Sequence, residues 1–433
     1  MTMKALLRVY LPVAILLVIA ACSRQPEFDL VIHGGTVYDG TGQPSTARRA
    51  DVGIKGDRIV SIGDLSGRRA ADTIDATGKA VAPGFIDAHG WSGTVLLADG
   101  YGESHLRQGI TSEIIADRSP AFWTAATADT ALLGRYGVSF DWKGLDGYFQ
   151  KLESRGTAIN VGTLVPASLA RAEVSGPAFV EAAMRAGALG VIADDADAAD
   201  LDALATVAGR YNGVFMSPLS DTLPPGESAA TTISEGQHAR AVVVTELMTI
   251  RPPDEPSTSA VIAAFAAAAQ RRLTVYGTTA PYAHPGQSSD TPARKAFQQW
   301  GGIAIGTNTT ATIAGAEGAT RAAFGAFPRF LGQWVREEHV LALPEAIRRM
   351  TSLPASMFDM PLRGIVRENY FADLVVFDPA TVADRSTDQK PDEYPAGITH
   401  VIVNGVVTVR PDGLTGARAG HRLRGSGARR QPG

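Results

Sequence analysis

Between about Gly84 and Pro361, short apolar runs alternate with Ala-rich stretches whose apolar positions recur at helical spacing. ITSEIIA, INVGTLV, LGVIAD, GVFMSP, AVVVTEL, LTVYG and GIAIGTN read as strands, and their near-continuous apolar character suits a sheet covered on both faces. FVEAAMRAGA, DLDALATVAGRY, SAVIAAFAAAAQR and LPEAIRRMTSLPASMF read as the helices between them. This βα rhythm predicts an α/β fold of the (β/α)8 TIM-barrel type over residues 84–360. The pattern changes at both ends to short alternating strands with turns. FDLVIHGGTVYDGTG, ADVGIKGDRIVSIGD and ADTIDATGKAVAPGFID precede the middle, and YFADLVVFDP and THVIVNGVVTV follow it. Strand-rich ends around a helix-rich middle predict a small β-sandwich built from both termini, over 23–83 and 361–424. HRLRGSGARRQPG, basic and Gly-rich, ends the chain, and 425–433 is expected to be a disordered tail.

The first 22 residues have a different texture. Lys4 and Arg8 precede an apolar run from Leu11 to Ala21, which has the order and length of a secretory signal and falls short of the ~20 residues that span a bilayer. Ile19-Ala20-Ala21-Cys22 resembles a bacterial lipobox, which implies that Cys22 is lipidated and becomes the mature N-terminus. Cys22 is the one cysteine in the chain, so no intramolecular disulfide forms. Ser23 stands where lipoproteins retained at the inner membrane carry Asp. The expectation is an exported lipoprotein on the periplasmic side of the outer membrane, with the lipid on Cys22 as its membrane contact.

Composition narrows the classes further. The chain has 433 residues, 45% of them hydrophobic, with 46 Gly and 25 Pro, enough for a large core and many turns. Its 40 basic and 44 acidic residues leave a net charge of −4, which gives no electrostatic footprint for nucleic acid.

Catalytic side chains of a barrel sit at the C-terminal ends of its strands. The first such strand ends in Pro83-Gly84-Phe85-Ile86-Asp87-Ala88-His89-Gly90-Trp91. This resembles the PGFID-x-H-x-H motif of the amidohydrolase superfamily, in which two histidines one residue apart share a strand face and ligate one metal. His89 fits the first position. Trp91 stands at the second, where an indole has no lone pair to give a metal. The run from FGAFPRF to HVIVNGVVTV, with FDLVIHGGTVYDGTG, NVGTLVPASLAR and AGALG, is similar to the N-acyl-D-amino-acid deacylases over nearly the whole mature chain. That resemblance implies a metallo-dependent barrel, zinc, and hydrolysis of non-peptide C–N bonds.

Position by position, it also implies losses. Arg118, preceded by Asp117, stands at the family's metal-bridging cysteine, and Pro218 at a histidine ligand. Glu246 stands at a second histidine ligand and remains a weak oxygen donor. Asn308 replaces the aspartate that ligates metal and shuttles protons. Arg321 lies near, and is offset by one from, the arginine that grips the substrate carboxylate, and Ala167 replaces a pocket histidine. A zinc hydrolase needs about three protein ligands and an open position, and a carboxamide has no useful proton affinity near neutral pH.

Three readings follow. The chain is a deacylase homologue, catalytically impaired, that binds a small acyl or D-amino-acid-containing ligand; no cofactor is then expected. Alternatively it is an active amidohydrolase with a rearranged or mononuclear site recruiting His89, Asp117, Glu246 and His284, and holding zinc. In the third it is a non-catalytic envelope interaction protein. Elsewhere, His105 and His284 read as ordinary surface or loop histidines, Asp194, Asp195 and the ADAAD that follows as the acidic start of a helix, and His238 as a helix end. TTAPYAHPG reads as turn chemistry, and no G-x-S-x-G elbow suggests a serine nucleophile.

Overall fold

A computed structural model describes residues 26–116, 130–172, 175–193, 198–247, 254–282, 296–297, 299–312, 314–315 and 318–429. The expected signal segment and Cys22 lie outside these residues, as do Asp117, Arg118, Asp194, Asp195 and His284. Among the described residues no helix is long and apolar enough to cross a membrane.

The N-terminal strands are β1 (Phe28–Val37), β2 (Arg48–Lys55), β3 (Arg58–Gly63), β4 (Ala70–Asp75) and β5 (Ala80–Pro83). The middle supplies β6 (Phe85–Gly90), β7 (Ile110–Ile115), β8 (Asn160–Thr163), β9 (Val165–Pro166), β10 (Gly190–Ile192), β11 (Val214–Pro218), β12 (Val242–Thr245), β13 (Val275–Thr279) and β14 (Ile303–Ile305). The C-terminal strands are β15 (Leu374–Phe377), β16 (Ile398–Val403), β17 (Val406–Arg410) and β18 (Gly413–Leu414).

Both chain ends contribute to one nine-stranded sheet, ordered β18-β17-β16-β15-β5-β1-β2-β3 with β4 also beside β1. The seam between them is the antiparallel pair β5–β15, where Pro83 faces Leu374 and Ala80 faces Phe377. The middle strands form two parallel sheets, β6-β7-β8 and β9 through β14. Every strand expected from the apolar runs is present. β8 and β9 are separated by a single residue, Leu164, whose N–H donates to Ile115 O at 2.9 Å.

Side chains from both parallel sheets meet in one apolar cluster that includes Ile86, Ile114, Ile192, Met216, Val243 and Ala304. Leu353, Met357 and Phe358 plug it from one side. The segment LPEAIRRMTSLPASMF, expected as one helix, is two: Leu343–Met350 and Ser352–Met357. The break falls at Thr351 (φ −136°, ψ −86°), three residues before Pro354, which has no N–H to continue the ladder. The Thr351 hydroxyl bonds Ile347 O at 2.7 Å, and the residue abuts Gly40 and Gly364, where a Cβ would lie 3.2 Å and 2.7 Å from Thr351 atoms. The tail also departs from expectation. Ser426–Arg429 is helical, the Ser426 hydroxyl bonds Asp359 at 2.7 Å, and Gly427 leaves no room for a Cβ against Met184 O, 2.4 Å away.

One buried polar hub ties the terminal sheet to the parallel strands. Arg363 and Asp373 form an ion pair at 6% side-chain exposure each. Arg363 also donates to Asn404 Oδ1 at 2.9 Å and stacks over Phe371. Asp373 accepts from the Asn404 N–H at 2.8 Å and from Asn160 Nδ2 of β8 at 3.2 Å. Because every partner is removed from water, Asp373→Ala leaves a buried guanidinium without its counter-charge. We expect a loss of roughly 3–5 kcal/mol in unfolding free energy by urea titration, against under 1 kcal/mol for an exposed pair such as Lys55–Asp29.

Candidate active site

The ends of β6 and of the segment after β14 lie side by side. The Asn308 N–H donates to His89 O at 2.8 Å and the Trp91 N–H to Thr309 O at 3.0 Å. His89 is buried, and its ring meets the Trp91 indole edge-on, with centroids 6.1 Å apart at 74°. Gly306 is required here by close approach: a Cβ would stand 2.9 Å from His89 Cβ. Asn308 has φ +53°, and Asn is one of the few residues that tolerate this left-handed turn, so its backbone gives a reason for its presence beyond any chemistry. Among the described residues, its Oδ1 is buried and accepts no hydrogen bond, and the Trp91 Nε1 is buried and donates none.

The other expected positions are distributed around the same strand ends. Pro218 closes β11 and stands opposite Thr245 of β12. Glu246 follows β12 directly with φ +59°, an uncommon backbone state for glutamate. Ala167 is buried at the start of the helix Ala167–Ala172. Arg321 begins the helix Arg321–Arg329 and is occupied by carboxylates, with Asp388 at 3.0 Å and Asp384 at 3.5 Å. Asp384 also accepts from Tyr282 Oη at 2.5 Å and pairs with Arg329 at 3.7 Å. Burial, then the Asp384 charge, pushes the Tyr282 phenol well above its ordinary range. His238, in the loop beyond the helix Pro225–Glu235, is half exposed and lies 3.6 Å from Asp202.

His105 is not the surface or loop histidine that the sequence suggested. It sits in the short helix Glu103–Leu106, is fully buried, and points Nδ1 at two carboxylates: Glu113 Oε2 at 3.0 Å and Asp87 Oδ2 at 3.8 Å. Asp87 lies on β6, two residues before His89, and Glu113 on β7, and neither has any exposure. Each carboxylate is oriented by backbone. Asp87 Oδ1 accepts from the His89 and Thr307 N–H groups, both at 3.0 Å, and Oδ2 from the Thr307 hydroxyl at 2.6 Å. Glu113 Oε1 accepts from the Ser92 N–H at 2.8 Å. A Cβ on Gly90 would fall 2.3 Å from Glu113 Oε1, so that glycine makes room for the carboxylate. Glu113 could have been found from the sequence, because it is the one charged residue in ITSEIIA, a strand read as covered on both faces.

Burial, and after it the charge of Glu113, raises the Asp87 carboxyl to about 6. Burial disfavours the His105 imidazolium, but the charges of Glu113 and Asp87 and the Glu113 hydrogen bond outweigh it and raise the group above its ordinary value.

Residues 303–409 match the amidohydrolase family model. The chain is 32% identical to the N-acyl-D-glutamate deacylase of Alcaligenes xylosoxydans xylosoxydans, covering 92% of this chain and 97% of the relative. It is 27% identical to the D-aminoacylase of the same organism, over 93% and 98%. Among solved structures, the N-acyl-D-glutamate deacylase of Bordetella bronchiseptica, complexed with zinc and a phosphonate mimic of the tetrahedral intermediate, superposes with a TM-score of 0.80. It shares 27% identity, over 92% of this chain and 99% of that one. The fold and these matches place the chain in the amidohydrolase superfamily. Within that superfamily the chain belongs to the N-acyl-D-amino-acid deacylase, or D-aminoacylase, family.

The buried cluster gives stability a pH dependence whose sign is fixed. Both Asp87 and His105 have raised values in the fold, so the folded chain holds protons that the unfolded chain releases. The stabilisation is complete below about pH 4 and is lost as pH rises through about 6 for Asp87 and further for His105. In chelator-treated protein, wild type should lose on the order of 1 kcal/mol more between pH 4 and 7.5 than Glu113→Gln, which removes the Glu113 charge from both shifts and leaves the burial of Asp87 in place. A difference between the two proteins that stays flat with pH would show that the Glu113 charge does not hold protons on Asp87 and His105 in the fold.

Proposed function

We propose that this chain is a deacylase-family protein that binds an N-acyl or D-amino-acid-containing ligand at the strand ends and does not hydrolyse it by the metal-dependent route. The observation that carries the reading is the donor set around His89. A second imidazole is replaced by the Trp91 indole, which packs on the His89 ring, and Pro218 offers no side-chain donor at all. Asn308 presents an amide where proton shuttling needs a carboxylate. Among the described residues, one imidazole with Glu246 as a further oxygen does not match the three-ligand, open-position site that poises a zinc-bound water, so no step is derived through that ion. Arg321, engaged by Asp384 and Asp388, is already neutralised as a grip for a ligand carboxylate.

We further propose that the two parallel sheets form one closed barrel. β8 and β9 are nearly continuous on one side, and the Asn308–His89 and Trp91–Thr309 hydrogen bonds bridge the other. The register shifts in β1–β2, β2–β3 and β15–β16 are the bulges that would let the terminal sheet curl into a sandwich. The proposed cell location is the periplasmic side of the outer membrane, with a lipid on Cys22. Cys22→Ala should then move the protein from the membrane to the soluble fraction, and unchanged membrane recovery would contradict this.

Assays of N-acyl-D-glutamate, N-acyl-D-aspartate and N-acyl-D-methionine with added zinc should give no turnover. A binding ligand present at 100 times its Kd should still raise stability by about 2.7 kcal/mol, read as a thermal shift. Zinc-dependent turnover abolished by His89→Ala would contradict the proposal in favour of an active, rearranged site. No shift with any of the ligands would favour a protein that acts through its surface.

A further inference from the structure

We propose that Asp87, His105 and Glu113 form a buried site for a single divalent transition-metal ion, zinc or manganese, one layer beneath the strand ends and separate from His89. Asp87 Oδ2, Glu113 Oε2 and His105 Nδ1 converge, with no two of these atoms more than 4.8 Å apart. The shorter separations are 3.0 Å and 3.8 Å. Donors held at ~2.0–2.2 Å around a tetrahedral ion lie about 3.4 Å from one another; the two His105 separations are within about half an ångström of that, and the two carboxylate oxygens, at most 4.8 Å apart, would draw together on the ion.

The convergence is built from outside. Asp87 Oδ1 is held by two backbone N–H groups and Glu113 Oε1 by a third, which turns the remaining oxygen of each carboxylate towards the imidazole. Gly90 clears the space that Glu113 needs. On the far side of the imidazole, His105 Nε2 is buried and has no hydrogen-bond partner among the described residues, where the ring is oriented by the convergence on its Nδ1 face. Charge points the same way. Among the described residues no lysine or arginine ion-pairs with Asp87 or Glu113, and one imidazole offsets two carboxylates only in part. An isolated charge without exposure is costly unless paired or bound to metal. Two carboxylates and one imidazole suit zinc or manganese over calcium, which takes six to eight oxygens. The Thr307 hydroxyl, which donates to Asp87 Oδ2 at 2.6 Å, brings a further oxygen to the cluster. With all three donors lacking exposure, the ion is structural: it ties β6, β7 and the helix Glu103–Leu106 together.

The proposal is independent of what the strand ends catalyse, and metal content separates the two. The full-length chain is stripped with chelator, incubated with Zn2+ or Mn2+, dialysed and analysed for bound metal. Wild type and His89→Ala should each retain about one equivalent, and Glu113→Gln and His105→Asn should each retain less than a tenth of that. Circular dichroism of each variant reports whether it is folded, and the wild type and His89→Ala decide the matter even if the cluster variants are not. Wild type without bound metal overturns the proposal, leaving the cluster as a hydrogen-bonded network closed by protons. Metal that leaves with His89→Ala, or that survives in folded Glu113→Gln and His105→Asn, overturns it as well.

Discussion

A carboxylate with no exposure must have its lone pairs met inside the fold, and the way Asp87 is met organises the region around it. Its Oδ1 takes the N–H of His89, which sets the end of β6, and the N–H of Thr307, which brings the segment after β14 alongside. Its Oδ2 takes the Thr307 hydroxyl and faces His105. Those bonds place Asn308 against His89 and Thr309 against Trp91, so the geometry of the strand ends follows from one buried side chain. Gly306 and Gly90 are the clearances that this arrangement needs, one for His89 and one for Glu113.

Among the described residues, buried titratable groups cluster below the strand ends. At the strand ends, the described residues offer the His89 imidazole, the Trp91 indole, Pro218, the Glu246 carboxylate and the Asn308 amide. Beneath them lie two carboxylates and an imidazole without exposure. The same backbone serves both levels, since Asp87 and His89 are two residues apart on β6. A change in the lower cluster would be felt above through the His89 N–H, which gives the cluster a positioning influence on the strand ends without any contact between its side chains and a ligand.

Much of the fold was legible in the sequence because its signal is local. Apolar strand runs such as AVVVTEL and GVFMSP alternate with Ala-rich helices, and each expected strand in the middle is present. The pairing of both chain ends in one sheet was also readable from their matching strand texture. What escaped depends on contacts distant in sequence. The helix break at Thr351 comes from the approach of Gly40 and Gly364 as much as from Pro354. The tail helix Ser426–Arg429 is held by Asp359 and by packing on Met184, neither of which a basic, Gly-rich segment announces. At the site, Trp91, Pro218, Glu246 and Asn308 were singled out by resemblance alone, as expected replacements of metal ligands. His105 was misread because a histidine in a short helix carries no pattern, and its partners lie on two separate strands. Glu113 did carry a signal, a charge inside an apolar strand, and that signal leads to the whole cluster.

The central claim concerns where this fold now keeps its charge and any ion that answers it. Diffraction from zinc-soaked crystals, recorded on both sides of the zinc absorption edge, tests it most directly. The account predicts an anomalous peak between Asp87, His105 and Glu113 and none beside His89 and Asn308. A peak at His89 with the lower cluster empty would contradict it.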